Sequence, residues 1–349
     1  MTQDKPLLGI TLMLGFCAIA PLGDAVAKIL GQAVPLGIVL LMRFGVQALL
    51  LAPILAFGGR PWRMSGRVLR LTWLRTVMHI IGIGMMFTAL QYLELADAVA
   101  IAFVMPFIMM FLGRFVLDEE VGARRLIAAT VGFAGTLLVV QPSFAEVGWP
   151  ALLPVGVALN FALFMLVTRQ IAKDTDPIGL QTVSGAMAVA ILAPVILLYN
   201  TGMLDNIVLL PPLPALDALT LEWPTPQDWV LLFTIGTLGT LAHLLMTWSL
   251  KYAPSATLAP MQYLEIPFAT GLGWVIFSDL PNPLATLGIA ITVAAGLYIV
   301  AREHACARRA GNHASNQAGN QIGATPIKPA KPAHPATHQP QMAAPSPAE

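Results

Sequence analysis

The segment LGIVLLMRFGVQALLLAPILAF, residues 36–57, decides the fold class of this chain. Arg43 is its only charged residue, and apolar side chains would cover the whole circumference of the helix that it forms. A helix needs about 20 mainly apolar residues to cross the hydrocarbon core of a bilayer. A segment this long and this apolar is typical of a helix in lipid rather than of an amphipathic helix in a soluble protein. We therefore predict a transmembrane helix here.

The composition of the whole chain agrees with this prediction. Of its 349 residues, 57% are hydrophobic and only 11% are charged, whereas about 25% are charged in soluble domains. So few charges argue against a soluble enzyme, a nucleic-acid-binding protein and a secreted disulfide-rich protein. The two cysteines, Cys17 and Cys306, lie in an apolar segment and in a polar tail, which predicts neither a disulfide framework nor a metal site. No Walker-type glycine motif occurs, and we expect no cofactor and no nucleic-acid partner.

Ten apolar stretches are long enough to cross a membrane. Backbone polar groups must be satisfied inside lipid, and the alternating pattern of a barrel strand is absent, so these stretches predict helices. The first stretch could instead be a cleaved signal peptide, with Lys5 before it and Ala18-Ile19-Ala20 as the cleavage sequence. We favour a transmembrane helix because the basic region before it is thin. The predicted fold is an all-α integral membrane protein with transmembrane helices at about 7–30, 36–57, 71–91, 95–117, 123–141, 149–169, 178–199, 229–250, 254–278 and 283–301.

Lys and Arg residues collect on one side of this topology. With the N-terminus in the cytoplasm, every Lys and Arg except Lys28 and Arg43 falls in a cytoplasmic segment, and Arg75 is assigned to the one before the third span. Cytoplasmic loops carry such an excess, so both termini are predicted in the cytoplasm, residues 1–6 and 302–349. The tail 302–349 has no apolar periodicity and is predicted to be disordered. The long loop 200–228 is then extracytoplasmic.

The chain contains a weak internal repeat. With an offset of about 161 residues, matches fall at corresponding places in the two halves, namely Pro106-Phe107 on Pro267-Phe268, Asp118 on Asp279 and Gly135 on Gly296. The two units, 7–141 and 149–301, hold five predicted helices each. An odd number of helices inverts the second unit in the membrane, an arrangement that suits a secondary transporter. The alternative is a duplication that serves only stability.

Two segments carry a family resemblance. The first is LADAVAIAF at 95–103, which runs into Pro106-Phe107, and the second is QYLEIPFA at 262–269, which is followed by Gly273-Trp274. Together with the ten spans, they resemble the EamA family of the drug/metabolite transporter superfamily over about residues 7–301. The resemblance implies a gradient-driven or facilitative carrier of small metabolites in the inner membrane of a bacterium, with a small-molecule substrate and membrane lipid as partners. A second copy of the chain, in a homodimer, is a further candidate partner.

The resemblance leaves the substrate open. The pattern Arg43-Phe44-x-x-Gln47 is similar to riboflavin importers of this family, which implies uptake of a vitamin such as riboflavin. Other members carry amino acids and amines, so export of such metabolites is the alternative. An intramembrane enzyme or a non-transporting scaffold is less favoured, because no nucleophile–base or metal pattern lies within the spans and because several polar residues do.

These polar residues are the candidate site, since an ionisable side chain at membrane depth is costly. Glu265 lies near the middle of span nine, with Gln262 on the same face. We predict that the Glu265 carboxyl carries a coupling proton or binds substrate. The alternative is a structural hydrogen bond to backbone that Pro260 and Pro267 set free. Asn160, in the middle of span six, either contacts the ligand or bonds a neighbouring helix.

A second group of candidates lies on spans one, two, three and eight. Asp24 and Arg43 have similar depths on helices joined by a short loop, which predicts an ion pair that is either structural or opened by an anionic or dipolar substrate. Gln47 extends this polar stripe by one turn, and Lys28 is expected to reach the interface. His79 and His243 are each predicted to relay protons or to pack as isolated histidines. The sequence thus predicts alternating access around a site between the two halves.

Overall fold

The structure is a computed structural model that describes residues 5–105, 107, 108, 112, 123–201, 203, 218–253, 258–298 and 301. These residues lie within one compact unit, Met1–Glu303. They form helices, turns and connecting segments without a β-strand, which confirms the all-α prediction for this part of the chain. The predicted tail 302–349 and the repeat residues Pro106 and Asp118 lie outside the described residues.

Ten α-helices are described, and seven helical segments are long and apolar enough to cross a membrane. The helices are α1 (Pro6–Leu30), α2 (Leu36–Phe57), α3 (Gly66–Ala89), α4 (Leu95–Ala102), α5 (Ala123–Val147), α6 (Leu153–Ala172), α7 (Pro177–Asn200), α8 (Pro226–Tyr252), α9 (Glu265–Leu272) and α10 (Pro283–Tyr298). The seven apolar segments are α1, α2, α3, the part of α5 from Thr130, α6 with the 3₁₀ turn before it, α7 and α8.

Local sequence sets several of these boundaries. Asp176 caps α7 by accepting hydrogen bonds from the backbone N–H groups of Ile178 and Gly179. Thr225 and Asp228 form a reciprocal capping box at the start of α8. In both helices a proline follows the cap, where its missing N–H is not needed.

Predicted span nine is not one continuous α-helix. A 3₁₀ turn over Ala259–Leu264 leads into α9, and a π-helical turn over Gly273–Phe277 follows it. Pro267 lies in the first turn of α9, where a residue without a backbone N–H is tolerated. Predicted span four contains α4, which ends at Ala102, and most of its second half lies outside the described residues. The described part of the span predicted at about 254–278 is thus helical but changes its winding twice.

The long helices pack mainly across the two halves of the sequence. The most extensive contacts join α1 to α8, α2 to α7 and α3 to α6. Close approach explains part of this packing, since a side chain at Gly236 on α8 would overlap Val46 on α2. Helices that follow one another in sequence, such as α1 and α2, are thus not the closest partners in space.

Contacts at the helix ends define two ends of the bundle. At the N-terminal end, where α1 begins, the Lys5 N–H donates to the Tyr252 carbonyl at 2.9 Å and Arg60 pairs with Asp176 at 3.0 Å. At the opposite end, Lys28 pairs with Asp279 at 3.1 Å. The candidate site lies between these two ends.

Candidate functional site

A central cavity of about 130 Å³ lies between α1, α2, α3, α4, α6, α8 and the start of α9. Its volume is enough for several water molecules. Seven of the eight predicted site residues line it, and their roles stay predictions. These are Asp24, Arg43, His79, Asn160, His243, Gln262 and Glu265.

Gln47 is the predicted residue that does not line the cavity. Its side-chain amide is buried and donates to the backbone carbonyl of Gln181 at 2.7 Å and to the Gln181 Oε1 at 3.0 Å. Gln181 in turn donates to the Thr247 hydroxyl at 2.7 Å. These three side chains, from α2, α7 and α8, form a hydrogen-bonded polar layer between the cavity and the N-terminal end of the bundle.

The predicted Asp24–Arg43 ion pair is not formed. Arg43 Nη1 instead donates to Gln47 Oε1 at 3.0 Å, one turn along the same helix. The prediction was wrong because it placed α1 beside α2, whereas α1 packs mainly on α8 and α2 on α7. Asp24 and Arg43 face the same cavity and attract each other only at longer range.

Lys28, which is expected to reach the interface, has several contacts at the end of α1. Its Nζ donates to Asp279 Oδ2 and to the Leu93 carbonyl, both at 3.1 Å. The same ammonium lies 4.9 Å from the centre of the Phe277 ring. These contacts tie the last turn of α1 to the segment that follows the π-helical turn. They also place Asp279 near Glu94. Burial raises the pKa of the Glu94 carboxyl, and the neighbouring carboxylates of Asp97 and Asp279 raise it further.

The two histidines are a pair, which the sequence analysis did not predict. His79 Nε2 lies 3.2 Å from His243 Nε2, although 164 residues separate them in sequence. Both rings are buried, and neither Nδ1 atom has a hydrogen-bond partner in the described part of the chain. Because a neutral imidazole has one N–H, one ring donates through Nε2 and the other accepts. The pair joins α3 to α8 at the cavity wall.

Arg75 is a buried site residue that the sequence analysis assigned to a cytoplasmic segment. The helix α3 begins at Gly66 rather than at residue 71, so Arg75 lies well within it and is 0% exposed. Its Nε donates to the Thr168 hydroxyl at 3.0 Å and its Nη1 to the Ser184 hydroxyl at 2.8 Å. The guanidinium also lies 4.6 Å from the centre of the Phe164 ring. No sequence pattern marks Thr168 and Ser184 as partners of Arg75. A predicted start of α3 at Gly66 would, however, have placed Arg75 inside the span.

The amide and acid residues of the cavity have fewer partners. Asn160 Nδ2 donates to the Met78 carbonyl at 2.8 Å, and Gly82 leaves room for this amide. Gln262 Oε1 is buried without a partner among the residues that the structure describes, and the Nε2 atom of Gln262 contacts the Met165 sulfur at 3.5 Å. The Glu265 carboxylate makes no hydrogen bond with a described residue, so the predicted structural bond to freed backbone is not seen there.

Aromatic rings form a row along one wall of the cavity. The rings of Phe16 and Phe161 lie 6.3 Å apart at 15°, and those of Phe161 and Phe164 lie 5.6 Å apart at 13°. Phe164 also lies 4.9 Å from the His79 ring. Nearly parallel rings of this kind can stack on a flat solute. The cavity thus offers an aromatic wall together with acids, amides and a guanidinium.

Comparisons with known proteins identify related transporters. The sequence pattern described as the EamA-like transporter family matches residues 7–141 and 148–301. The chain is 28% identical over 243 residues to a riboflavin transporter of Rhizobium johnstonii, a match that covers 70% of this chain and 71% of that protein. It is 21% identical to an S-adenosylmethionine uptake transporter of Rickettsia prowazekii, with coverage of 85% and 94%.

Two further similar proteins are an exporter and a protein of known structure. The chain is 24% identical to the pseudopaline exporter CntI of Pseudomonas aeruginosa, a match that covers 79% of this chain and 88% of that protein. A crystal structure of a protein 20% identical in sequence has the same fold, with a TM-score of 0.57 and coverage of 84% and 95%.

Proposed function

Because the chain belongs to the EamA-like transporter family, as its sequence pattern indicated, we propose that it carries a small polar metabolite across a bacterial inner membrane by alternating access. The observation that carries this proposal is the central cavity, where charged and amide side chains from separate helices meet inside an apolar bundle. Ionisable groups at membrane depth are costly, and they are typical of substrate and ion pathways. We therefore assign the cavity as the transport site.

The proposal includes ten spans in two inverted five-helix repeats, 7–141 and 149–301. By order within each repeat, α1 corresponds to α6, α2 to α7 and α3 to α8, and the 161-residue offset aligns α3 directly with α8. The α1–α8 and α3–α6 contacts are then equivalent, and the α2–α7 contact maps onto itself, as a two-fold axis requires. This pattern supports the inverted repeat.

We also propose that both termini, the N-terminal residues 1–6 and the tail 302–349, lie in the cytoplasm and that the loop 200–228 lies outside. Accessibility of tags on intact cells would test this orientation.

Riboflavin is the first substrate to test. Two observations support a flavin-like solute, namely the names of several similar transporters and the row of rings at Phe16, Phe161 and Phe164, which suits a flat ring system. The amides of Asn160 and Gln262 are suited to hydroxyl groups attached to such a ring. Uptake of riboflavin is therefore the function that we propose for this cavity.

Export of amino acids or related amines is the second candidate. The similar protein of Pseudomonas aeruginosa is named an exporter. The cavity also holds acids, Asp24 and Glu265, and a guanidinium, Arg43, which are not in contact and could bind the two charges of a dipolar solute. This candidate differs from the first in direction and in substrate charge.

Growth rescue and uptake distinguish the two candidates. The chain is expressed in a bacterial strain that can neither make nor import riboflavin, and accumulation of labelled riboflavin is measured beside export of labelled amino acids. We expect uptake, and we expect Phe164→Ala to reduce it several-fold because the aromatic row loses a ring. Phe133→Ala is the matched control, since Phe133 is 45% exposed on α5. Absence of riboflavin uptake with the protein present in the membrane would overturn the riboflavin proposal.

A further inference from the structure

Four basic side chains meet at one side of the central cavity. Arg43 from α2, Arg75 and His79 from α3 and His243 from α8 surround the rings of Phe44 and Phe164, and we call these four the basic cluster. The ion pairs of the described residues are Lys28–Asp279 and Arg60–Asp176, so neither arginine of the cluster is paired with a carboxylate there. Two buried arginines without a paired carboxylate, next to two histidines, need a physical reason.

The hydrogen bonds of the two arginines do not neutralise their charge. Arg43 donates to an amide oxygen of Gln47, and Arg75 donates to the hydroxyls of Thr168 and Ser184. The Nη2 atoms of both arginines are buried and have no partner among the described residues. A buried charge without a counter-ion is strongly disfavoured. Each guanidinium therefore keeps an unused donor, and neither has a carboxylate of a described residue in contact.

Arg43 is the arginine of the cluster that a solute can reach, because it lines the cavity together with His79 and His243. Its guanidinium lies directly against α8 at Gly239, where any side-chain carbon would overlap it. The absence of a side chain at Gly239 thus allows a fully interior arginine to border the cavity. Arg75 lies one turn along α3 from His79 and adds positive potential from behind the wall.

The acids of the cavity do not neutralise this wall. Asp24 and Glu265 line the same space, but neither contacts the basic cluster. Basic and acidic walls are thus separated within one cavity, and an anionic group of a solute would be stabilised beside Arg43. The planar fork of a guanidinium matches the paired oxygens of a carboxylate or a phosphate.

We propose that the basic cluster binds an anionic group of the transported solute, a carboxylate or a phosphate monoester, with Arg43 as its main donor and the histidine pair beside it. The proposal rests on the proposed transport function and deepens it, because it specifies the charge of one end of the substrate. Within the proposed flavin class, it predicts that the preferred solute is a flavin with a phosphate, which binds better than riboflavin because riboflavin has no anionic group at neutral pH.

Binding to the purified full-length protein in detergent tests this proposal. Quenching of flavin fluorescence is titrated with riboflavin and with riboflavin 5′-phosphate, at pH 7 and constant ionic strength. We expect the phosphate form to bind at least tenfold more tightly to the wild type. Arg43→Gln should remove this preference, because it should weaken binding of the phosphate form far more than binding of riboflavin. The matched control is Arg70→Gln, the same change at an exposed position of α3, which should retain the full preference.

A second variant keeps the test decisive if Arg43→Gln does not fold. Arg43→Met replaces the buried charge with an apolar side chain of similar length, a change that is often tolerated in protein interiors. It should remove the phosphate preference as well. Equal binding of the two flavins by the wild type, or an unchanged preference in the folded Arg43 variant, would overturn the proposal.

An independent measurement separates failure of the anion site from failure of the flavin proposal. The unfolding midpoint is recorded with succinate, glycerol phosphate, inorganic phosphate and uncharged glycerol at matched ionic strength. If neither flavin binds, a rise with the organic anions that is lost in Arg43→Gln supports an anionic solute of another class. A rise with inorganic phosphate alone would assign the site to a free ion and overturn the solute proposal, as would no rise with any anion.

Discussion

The contact between Gly82 and Asn160 gives a prediction that links packing to the site. A methyl group on Gly82 of α3 would overlap the Nδ2 atom of Asn160 on α6, the atom that donates to the Met78 carbonyl at 2.8 Å. Gly82→Ala should therefore displace the Asn160 amide from its position at the cavity wall. The change should lower both the stability of the protein and its uptake of substrate.

The magnitude follows from three contributions. Overpacking a well-packed interior costs about 1–3 kcal/mol, and an interhelical hydrogen bond in a membrane contributes on average about 0.6 kcal/mol. Replacing glycine by alanine within a helix favours folding by about 1 kcal/mol. The net expectation for Gly82→Ala is a free energy of unfolding lower by about 0.6–2.6 kcal/mol.

Gly84→Ala on the same helix is the matched control. A methyl group there would meet only the Leu40 Cδ1 atom, at an ordinary 3.6 Å. The control should thus be neutral or more stable by up to about 1 kcal/mol. Both variants are unfolded in mixed detergent micelles by titration with sodium dodecyl sulfate. Asn160→Ala is then combined with Gly82→Ala, and most of the cost of Gly82→Ala should disappear in this background.

Two results would refute this reasoning. Equal stability of Gly82→Ala and Gly84→Ala would show that the Asn160 amide moves aside without cost. A cost of Gly82→Ala that persists after Asn160→Ala would show that the methyl group meets a different neighbour. Either result would also remove the argument that Gly82 positions Asn160 at the cavity wall.

The remaining predictions concern the charged residues of the cavity. Glu265→Gln should abolish the dependence of uptake on external pH while the amount of protein in the membrane is unchanged, because an amide cannot take up or release a proton; uptake by the variant that still varies with pH would remove Glu265 from proton coupling. Asp24→Asn and Arg43→Gln should each lower substrate binding, and the loss in the double variant should be close to the sum of the two losses, because the side chains face one cavity without forming an ion pair. A double variant that binds better than either single variant would instead indicate a direct pair.

Much of the fold could be predicted from the sequence because lipid imposes a strong pattern. Long apolar runs such as residues 36–57 predict a helix, and the boundaries of α2 agree with the prediction to the residue. The type of helix within a span leaves a weaker pattern in the sequence. The changes from 3₁₀ to α to π helix around Glu265 depend on tertiary packing as well as on Pro267, so span nine was predicted as one helix.

The candidate site was predictable as a set of residues but not as a set of contacts. Charged and amide residues in apolar spans are few, and seven of the eight chosen line one cavity because burial of polar groups favours a shared polar space. Partners depend on which helices are neighbours. Since α3 lies close enough to α8 for His79 to reach His243, and α1 packs on α8 rather than on α2, the histidine pair was missed and the Asp24–Arg43 pair was wrong.

The 3₁₀ turn that precedes α9 has a consequence for how the cavity could change shape. Its six residues, Ala259–Leu264, rise by about 2.0 Å each, whereas α-helical residues rise by about 1.5 Å. Rewinding this turn to α-helix would shorten it by about 3 Å and rotate one end against the other by about 120°. Gln262 and Glu265 would then move away from the solute by a combined translation and rotation, while the long helices around them stay in place.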